Sequence, residues 1–138
     1  MQWKYAADLS NHPECPPTTV RPHVGDAFRF VHSDLADERN FLPAAKLNPR
    51  RKLRPHEQCF GFSLSLYVTR DTAVKRFTYL HSLHENFPKT AGDSLATCTL
   101  CETDGRACNF NLNGHFEFFE SDTSDLRPMF SLVEKIIP

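Results

Sequence analysis

The sequence predicts an α+β fold: a mostly antiparallel sheet with one main helix at about 71–84 and a short C-terminal helix. Three observations predict it. Apolar residues alternate with period two in 27–32 and 60–68. One long stretch, 71–84, instead repeats at helical spacing. Asp104-Gly105 and Asn113-Gly114 punctuate the second half as tight turns. At 138 residues, with no internal repeat and no dividing linker, the chain reads as one domain, 1–138.

Residues 10–23 carry four of the prolines, which excludes a regular helix or a central strand there. This stretch is expected to be a connector or a packed N-terminal arm, with Trp3, Tyr5 and Leu9 as anchors ahead of it. The first strand follows at 27–32, with Phe28 and Phe30 on one face and Arg29 and Val31 on the other. A short helix over 34–42, capped by Ser33 or Asp34, stops at Pro43. Residues 46–57 form a polar loop broken by Pro49 and Pro55. The strand at 60–68 sets Phe62, Leu64, Leu66 and Val68 against Ser63, Ser65 and Tyr67, the pattern of a sheet with one buried face. Thr69 or Asp71 caps the main helix, whose inner side is Val74, Phe77 and Leu80, and Pro88 ends it.

A two-residue turn at Asp104-Gly105 pairs 94–103 with 106–112 and sets Cys101 opposite Cys108. With 115–120 returning after Asn113-Gly114, the segment 94–120 is expected to be a three-stranded meander. A helix from Ser124 or Asp125 through Leu132 and an edge strand at 133–137 complete the chain.

Twelve phenylalanines point to an aromatic core. The charge is divided: residues 1–90 hold 13 basic and 9 acidic side chains, and 91–138 hold 3 and 8. That division suits pairing between the two halves, or the steering of a partner. Five cysteines are an odd number, and a chain of this size can bury a core without bridges, so no disulfide framework is expected. The N-terminus lacks the apolar run of a secretory signal, and no stretch has the length of a membrane span. The reducing cytoplasm, with no membrane partner, is the expected setting.

Four groups of residues carry chemistry. Lys46, Arg50, Arg51, Lys52 and Arg54 form a basic run that suits phosphate groups, and equally a solvated loop paired with the acidic C-terminal half. Cys98 and Cys101, with His12 and Cys15, have ligand-like spacing. Positions 98 and 101 of a strand face opposite ways, however, so no metal is expected and Cys101 and Cys108 read as reduced neighbours. Of seven histidines, only His81 and His84 share a helical face. The fourth group is Arg29 in the first strand, Ser63 and Ser65 in the next, and Glu117 and Glu120 late in the chain. It also reads as the polar side of a half-exposed sheet.

That order resembles the Arg–Ser–Glu order of ADP-ribosyltransferases. The resemblance implies NAD as the cofactor and Arg29 holding its phosphates and ribose. It implies that the Ser63-Leu64-Ser65 strand scaffolds the nicotinamide pocket. Glu117 or Glu120 would stabilise an oxocarbenium-like transition state and activate the acceptor. The runs Phe28-Arg29-Phe30-Val31, Asn40-Phe41-Leu42-Pro43 and Gly61 to Leu66 are also similar to a family of small uncharacterised bacterial proteins. That similarity implies a bacterial or phage-related origin and a shared fold, and no activity.

The residues themselves favour a non-catalytic interaction module without a cofactor. It would bind a protein partner or a phosphate-bearing ligand through Arg29, Ser63, Ser65 and Tyr67 and the basic loop (Arg50, Arg51, Lys52, Arg54), with Tyr67 or Phe119 as an exposed anchor. The alternatives are an ADP-ribosyltransferase-like enzyme or degenerate relative, with Glu117 or Glu120 catalytic, and a nucleic-acid-binding accessory protein. The sequence leaves the ligand, the partner and the oligomeric state open.

Overall fold

The computed structural model describes residues 1–137; the side chain of His56 lies outside the described set. Six antiparallel strands form one curled sheet: β1 Gly25–Val31, β2 Leu64–Tyr67, β3 Ser94–Leu100, β4 Gly105–Ala107, β5 His115–Glu120 and β6 Ser131–Lys135, in the order β4-β5-β2-β1-β3-β6. Four helices accompany them: α1 Ala6–Leu9, α2 Ala44–Leu47, α3 Arg70–Leu83 and α4 Phe87–Ala91. The mixture of helix and antiparallel sheet is that of an α+β protein. Among the described residues no helix is long and apolar enough to cross a membrane.

The pairing is uneven, and this unevenness makes the site. β1 is matched to β3 along its whole length, from Gly25 opposite Leu100 to Val31 opposite Ser94. β2 is matched to β5 from Leu64 opposite Phe118 to Tyr67 opposite His115. Between β1 and β2 only Phe28 and Tyr67 are partners. The sheet is therefore two halves, β4-β5-β2 and β1-β3-β6, joined at one point and splayed beyond it.

Each face buries its own core. The larger one gathers Ala27, Val31, Leu64, Leu66, Ala96, Leu100, Phe116 and Phe118 under Phe41, Leu126 and Phe130. The other packs Tyr67, Leu95, Phe28 and Phe30 against Ala73 and Val74 of α3. Phe30, Phe77 and Phe87 meet edge to face, with ring centroids 5.2 to 5.9 Å apart. α3 starts where expected because Thr69 and Thr72 form a reciprocal capping box.

Several elements depart from the sequence pattern. Residues 60–62 form a 3-10 turn, so the second strand begins only at Leu64. The helix expected over 34–42 is a 3-10 turn at Glu38–Phe41, with Asp37 accepting from the Arg39 N–H. Pro88 does not simply end α3; it opens α4 after a break, since proline suits the first helical turn. The C-terminal helix is a single 3-10 turn at Arg127–Met129, held short by Pro128, and the final strand starts at Ser131.

Only the second half of the expected meander forms, as the β4–β5 pair. β3 uses both of its edges, on β1 and β6, and β4 crosses the molecule to pair with β5. A turn in which Asp104 accepts from the Cys101 N–H stops β3. Cys101 and Cys108 are therefore not cross-strand partners. Gly105 serves close approach instead, since a Cβ there would meet the Phe119 carbonyl and the Phe118 ring. Gly92 has the stricter need: φ is +97°, and a side chain would run into the Val31 backbone. Gly92→Ala should cost about 3 kcal/mol or more in urea unfolding, because strain and overlap add.

The cysteines require the largest correction. Cys15 and Cys59, 44 residues apart with Cα atoms 5.6 Å apart, are joined as a disulfide, and Cys98, Cys101 and Cys108 are free. An odd cysteine count hides a single bridge, and nothing local marks two residues that meet only through the tertiary fold. The bridge ties the Pro-rich arm to the segment leading into β2. The arm is packed: Arg21 exchanges both backbone hydrogen bonds with Ala107, at 2.8 and 2.6 Å. Leu9 is buried, and Trp3 meets Phe119 edge on at 6.4 Å.

Candidate functional site

Where β1 and β2 part, a cleft of about 480 Å³ opens. Its walls are the two strands, the 39–61 segment, and Leu80, Phe87 and Thr90 from the helical side. Arg29, Ser63, Ser65, Tyr67, Arg51 and Glu117 all reach it. Residues from β1, β2 and β5 thus line one cleft.

Arg29 bridges the split. Its Nη1 donates to the Ser65 carbonyl at 3.0 Å, and its Nε donates to the Asn40 carbonyl at 2.6 Å. The guanidinium replaces the ladder bonds that β1 and β2 no longer share. Burial lowers its pKa to about 10, while the carboxylates of Glu120 and Glu117 favour the charged form, so it is a fixed cation at neutral pH.

Glu117 on β5 lines the same cleft. The Ser63 hydroxyl hydrogen-bonds Glu117 Oε2 and also lies 2.8 Å from the Phe60 carbonyl, so two oxygens share its one proton. Glu117 Oε1 lies 3.5 Å from His115 Nε2. Burial lowers the His115 pKa against the pull of Glu117, which leaves the ring neutral at pH 7. Cys108 is close enough to feel Glu117, but burial and that carboxylate both raise its thiol, so no thiolate nucleophile stands here.

Tyr67 lines the cleft without being the exposed anchor expected. It is buried, stacks near Phe30 at 4.9 Å, and burial pushes its hydroxyl up to about 12. Phe119 is buried as well. The basic run is partly gathered. Arg51 lines the cleft and, with Lys46 and Lys52, a second groove, where Lys46 pairs with Asp8 at 2.7 Å. Arg50 lines neither, and Arg54 lies 3.9 Å from Glu57. Among the described residues no ion pair joins this run to the acidic C-terminal half. The pairs that join the halves are Lys4 with Glu120 and Arg70 with Glu134. Glu120 points to the opposite face from Glu117 and does not enter the cleft.

Asn40 is a supporting residue that periodicity does not reveal. It is buried, accepts from the His32 N–H at 2.6 Å, and donates to the His32 and Asp34 carbonyls at 3.1 and 2.9 Å. It thereby holds the loop that presents its own carbonyl to Arg29. Asn40→Ala should lower stability by about 2–4 kcal/mol, because three buried hydrogen bonds go and their backbone partners are left unpaired. Denaturant unfolding checks this.

Among the described residues no cluster of three or more His, Cys, Asp or Glu side chains is arranged to hold a metal ion. No family model, no curated protein and no solved structure matches the chain.

Proposed function

We propose that this protein is an ADP-ribosyltransferase-like enzyme that cleaves NAD at the nicotinamide–ribose bond and passes the ADP-ribose to an acceptor. One observation carries the reading: Arg29 from β1, Ser63 and Ser65 from β2 and Glu117 from β5 share one cleft, with Ser63 hydrogen-bonded to Glu117. A cleft built only to hold phosphate gains nothing from a carboxylate, which repels the ligand. A carboxylate opposite a guanidinium makes sense where the ligand is anionic at one end and develops positive charge at the other.

In this reading Arg29 and Arg51 receive the diphosphate, with Arg29 already positioned by its two backbone bonds. Phe30, Phe87 and Leu80 give an apolar wall for the nicotinamide ring. As the C1′–N bond breaks, its electron pair leaves with nicotinamide and positive charge grows on the ribose. Glu117, held in place by Ser63, faces that charge. The acceptor's nucleophile then bonds to C1′ and gives its proton to Glu117.

The cleft volume of about 480 Å³ lies within the range of ligand pockets. Lys46 is already paired with Asp8 and Arg54 lies 3.9 Å from Glu57, which weakens the nucleic-acid reading, since that needs cations free for phosphates. The interaction-module reading shares the cleft but gives Glu117 no role. The Cys15–Cys59 bridge favours work in an oxidising setting over the reduced cytoplasm.

The test is direct. Purified protein incubated with NAD should release nicotinamide, measured by chromatography, and NAD should raise the melting temperature. Absence of both nicotinamide release and a thermal shift at millimolar NAD would overturn the proposal.

A further inference from the structure

Glu120 raises a separate question. It is a carboxylate with a side chain only 2% exposed, and among the described residues neither of its oxygens receives a hydrogen bond. Lys4 Nζ lies 3.6 Å from Oε1, near enough for an ion pair but beyond a hydrogen bond. A buried carboxylate in this state is costly, and it calls for a reason.

Glu120 lines a second cavity, about 250 Å³, on the far side of the sheet from Glu117. Tyr5, Phe41, Leu42 and Leu126 supply its apolar walls, and Glu38, Asp125 and Arg127 also line it. With Lys4, the cavity holds three acidic and two basic side chains. Burial raises the Glu120 pKa, while Lys4 and Arg29 draw it back. Burial, Glu120 and Asp8 push the Tyr5 hydroxyl up to about 12, so it stays neutral.

We propose that this cavity receives a guanidinium group, with Glu120 as its two-oxygen acceptor. Three features select that chemistry. Both carboxylate oxygens are buried without a hydrogen-bond donor, a need that the parallel N–H pair of a guanidinium meets better than the single point of an ammonium. The volume falls below the roughly 300–1,000 Å³ of whole-ligand pockets and fits one long side chain. The apolar walls suit the methylene stem of an alkylguanidine. The group comes either from an arginine side chain of a partner or from a free alkylguanidine. The inference does not depend on the NAD reading, and its failure leaves that reading untouched.

The test is an amide NMR titration of the full chain with butylguanidinium, a Gly-Arg-Gly peptide, butylammonium and the neutral isostere butylurea. Saturable shifts at Tyr5, Glu120 and Leu126 are expected with both guanidinium ligands. Butylammonium should bind at least about tenfold more weakly, since it forms one charged bond in place of two, and butylurea should not bind.

A tighter fit for the peptide assigns the group to a partner's arginine, and a tighter fit for butylguanidinium assigns it to a free ligand. Glu120→Gln should weaken guanidinium binding at least about tenfold by removing the charge. Lys4→Gln should strengthen it by removing the competing cation. The proposal is overturned if neither guanidinium ligand shifts these amides at about 50 mM, well above a millimolar Kd. It is also overturned if butylurea binds equally, or if Glu120→Gln binds like the wild type. Should Glu120→Gln fail to fold, Lys4→Gln decides: unchanged or weaker binding overturns the proposal.

Discussion

Glu117→Gln should reduce nicotinamide release from NAD by about 10²–10³-fold, the usual loss when one preorganised electrostatic group is removed from a transition state. The substitution isolates charge from shape. Glutamine keeps an oxygen to accept the Ser63 hydroxyl, and the position is partly solvent-exposed, so the fold should not suffer. KM for NAD should change little, because Glu117 meets charge that exists only as the bond breaks. Ser63→Ala should cost about tenfold in kcat, the equivalent of one lost orienting hydrogen bond, again with KM held. Arg29→Lys should behave differently. A lysine cannot span the Ser65 and Asn40 carbonyls, so KM and stability should both worsen. Steady-state kinetics beside a melting curve separates these three patterns. Wild-type activity in Glu117→Gln would remove the carboxylate from the mechanism.

The parts of this site were legible to different degrees, for physical reasons. Alternation identified β1 and β2 and their faces, because Phe28/Phe30 and Leu64/Leu66 must each bury one side. The helix at α3 was legible because its apolar residues repeat at helical spacing behind a cap candidate, Thr69, which is the cap the structure uses. The chemical order Arg29, Ser63, Glu117 was also visible, but not the meeting of Ser63 with a residue 54 positions away. Strand partners depend on which edges remain free, and that is a property of the whole sheet. Asp104-Gly105 was the strongest local hairpin signal, yet β3 had no edge left to offer. The split between β1 and β2, which creates the cleft, has no sequence signature apart from an arginine where a strand pair should close. Nor did Asn40 stand out, since its three side-chain bonds serve a loop without periodicity.

Loss of the Cys15–Cys59 bridge should be among the most destabilising single changes in the molecule. Closing a loop between residues 44 apart removes chain entropy from the unfolded state worth about 4 kcal/mol. Against a total of about 5–15 kcal/mol for a typical domain, that is a large fraction. With an unfolding entropy of roughly 2.1 cal/mol/K per residue, Cys15→Ser or Cys59→Ser should lower the melting temperature by about 14 °C. The effect should also reach the cleft. Cys59 leads directly into the Phe60–Phe62 turn, and the Phe60 carbonyl shares the Ser63 proton with Glu117. The arm on the other side of the bridge has little regular structure of its own; besides the bridge it is held by the Arg21–Ala107 pair and by the rings of His12 near Phe62 and His23 on Phe116. Calorimetry with and without reductant measures the stability term. Thiol titration in denaturant checks the bridge itself: three groups should react before reduction and five after it. Five reactive thiols without reductant, or a melting temperature indifferent to reduction, would show that the arm is held by packing alone.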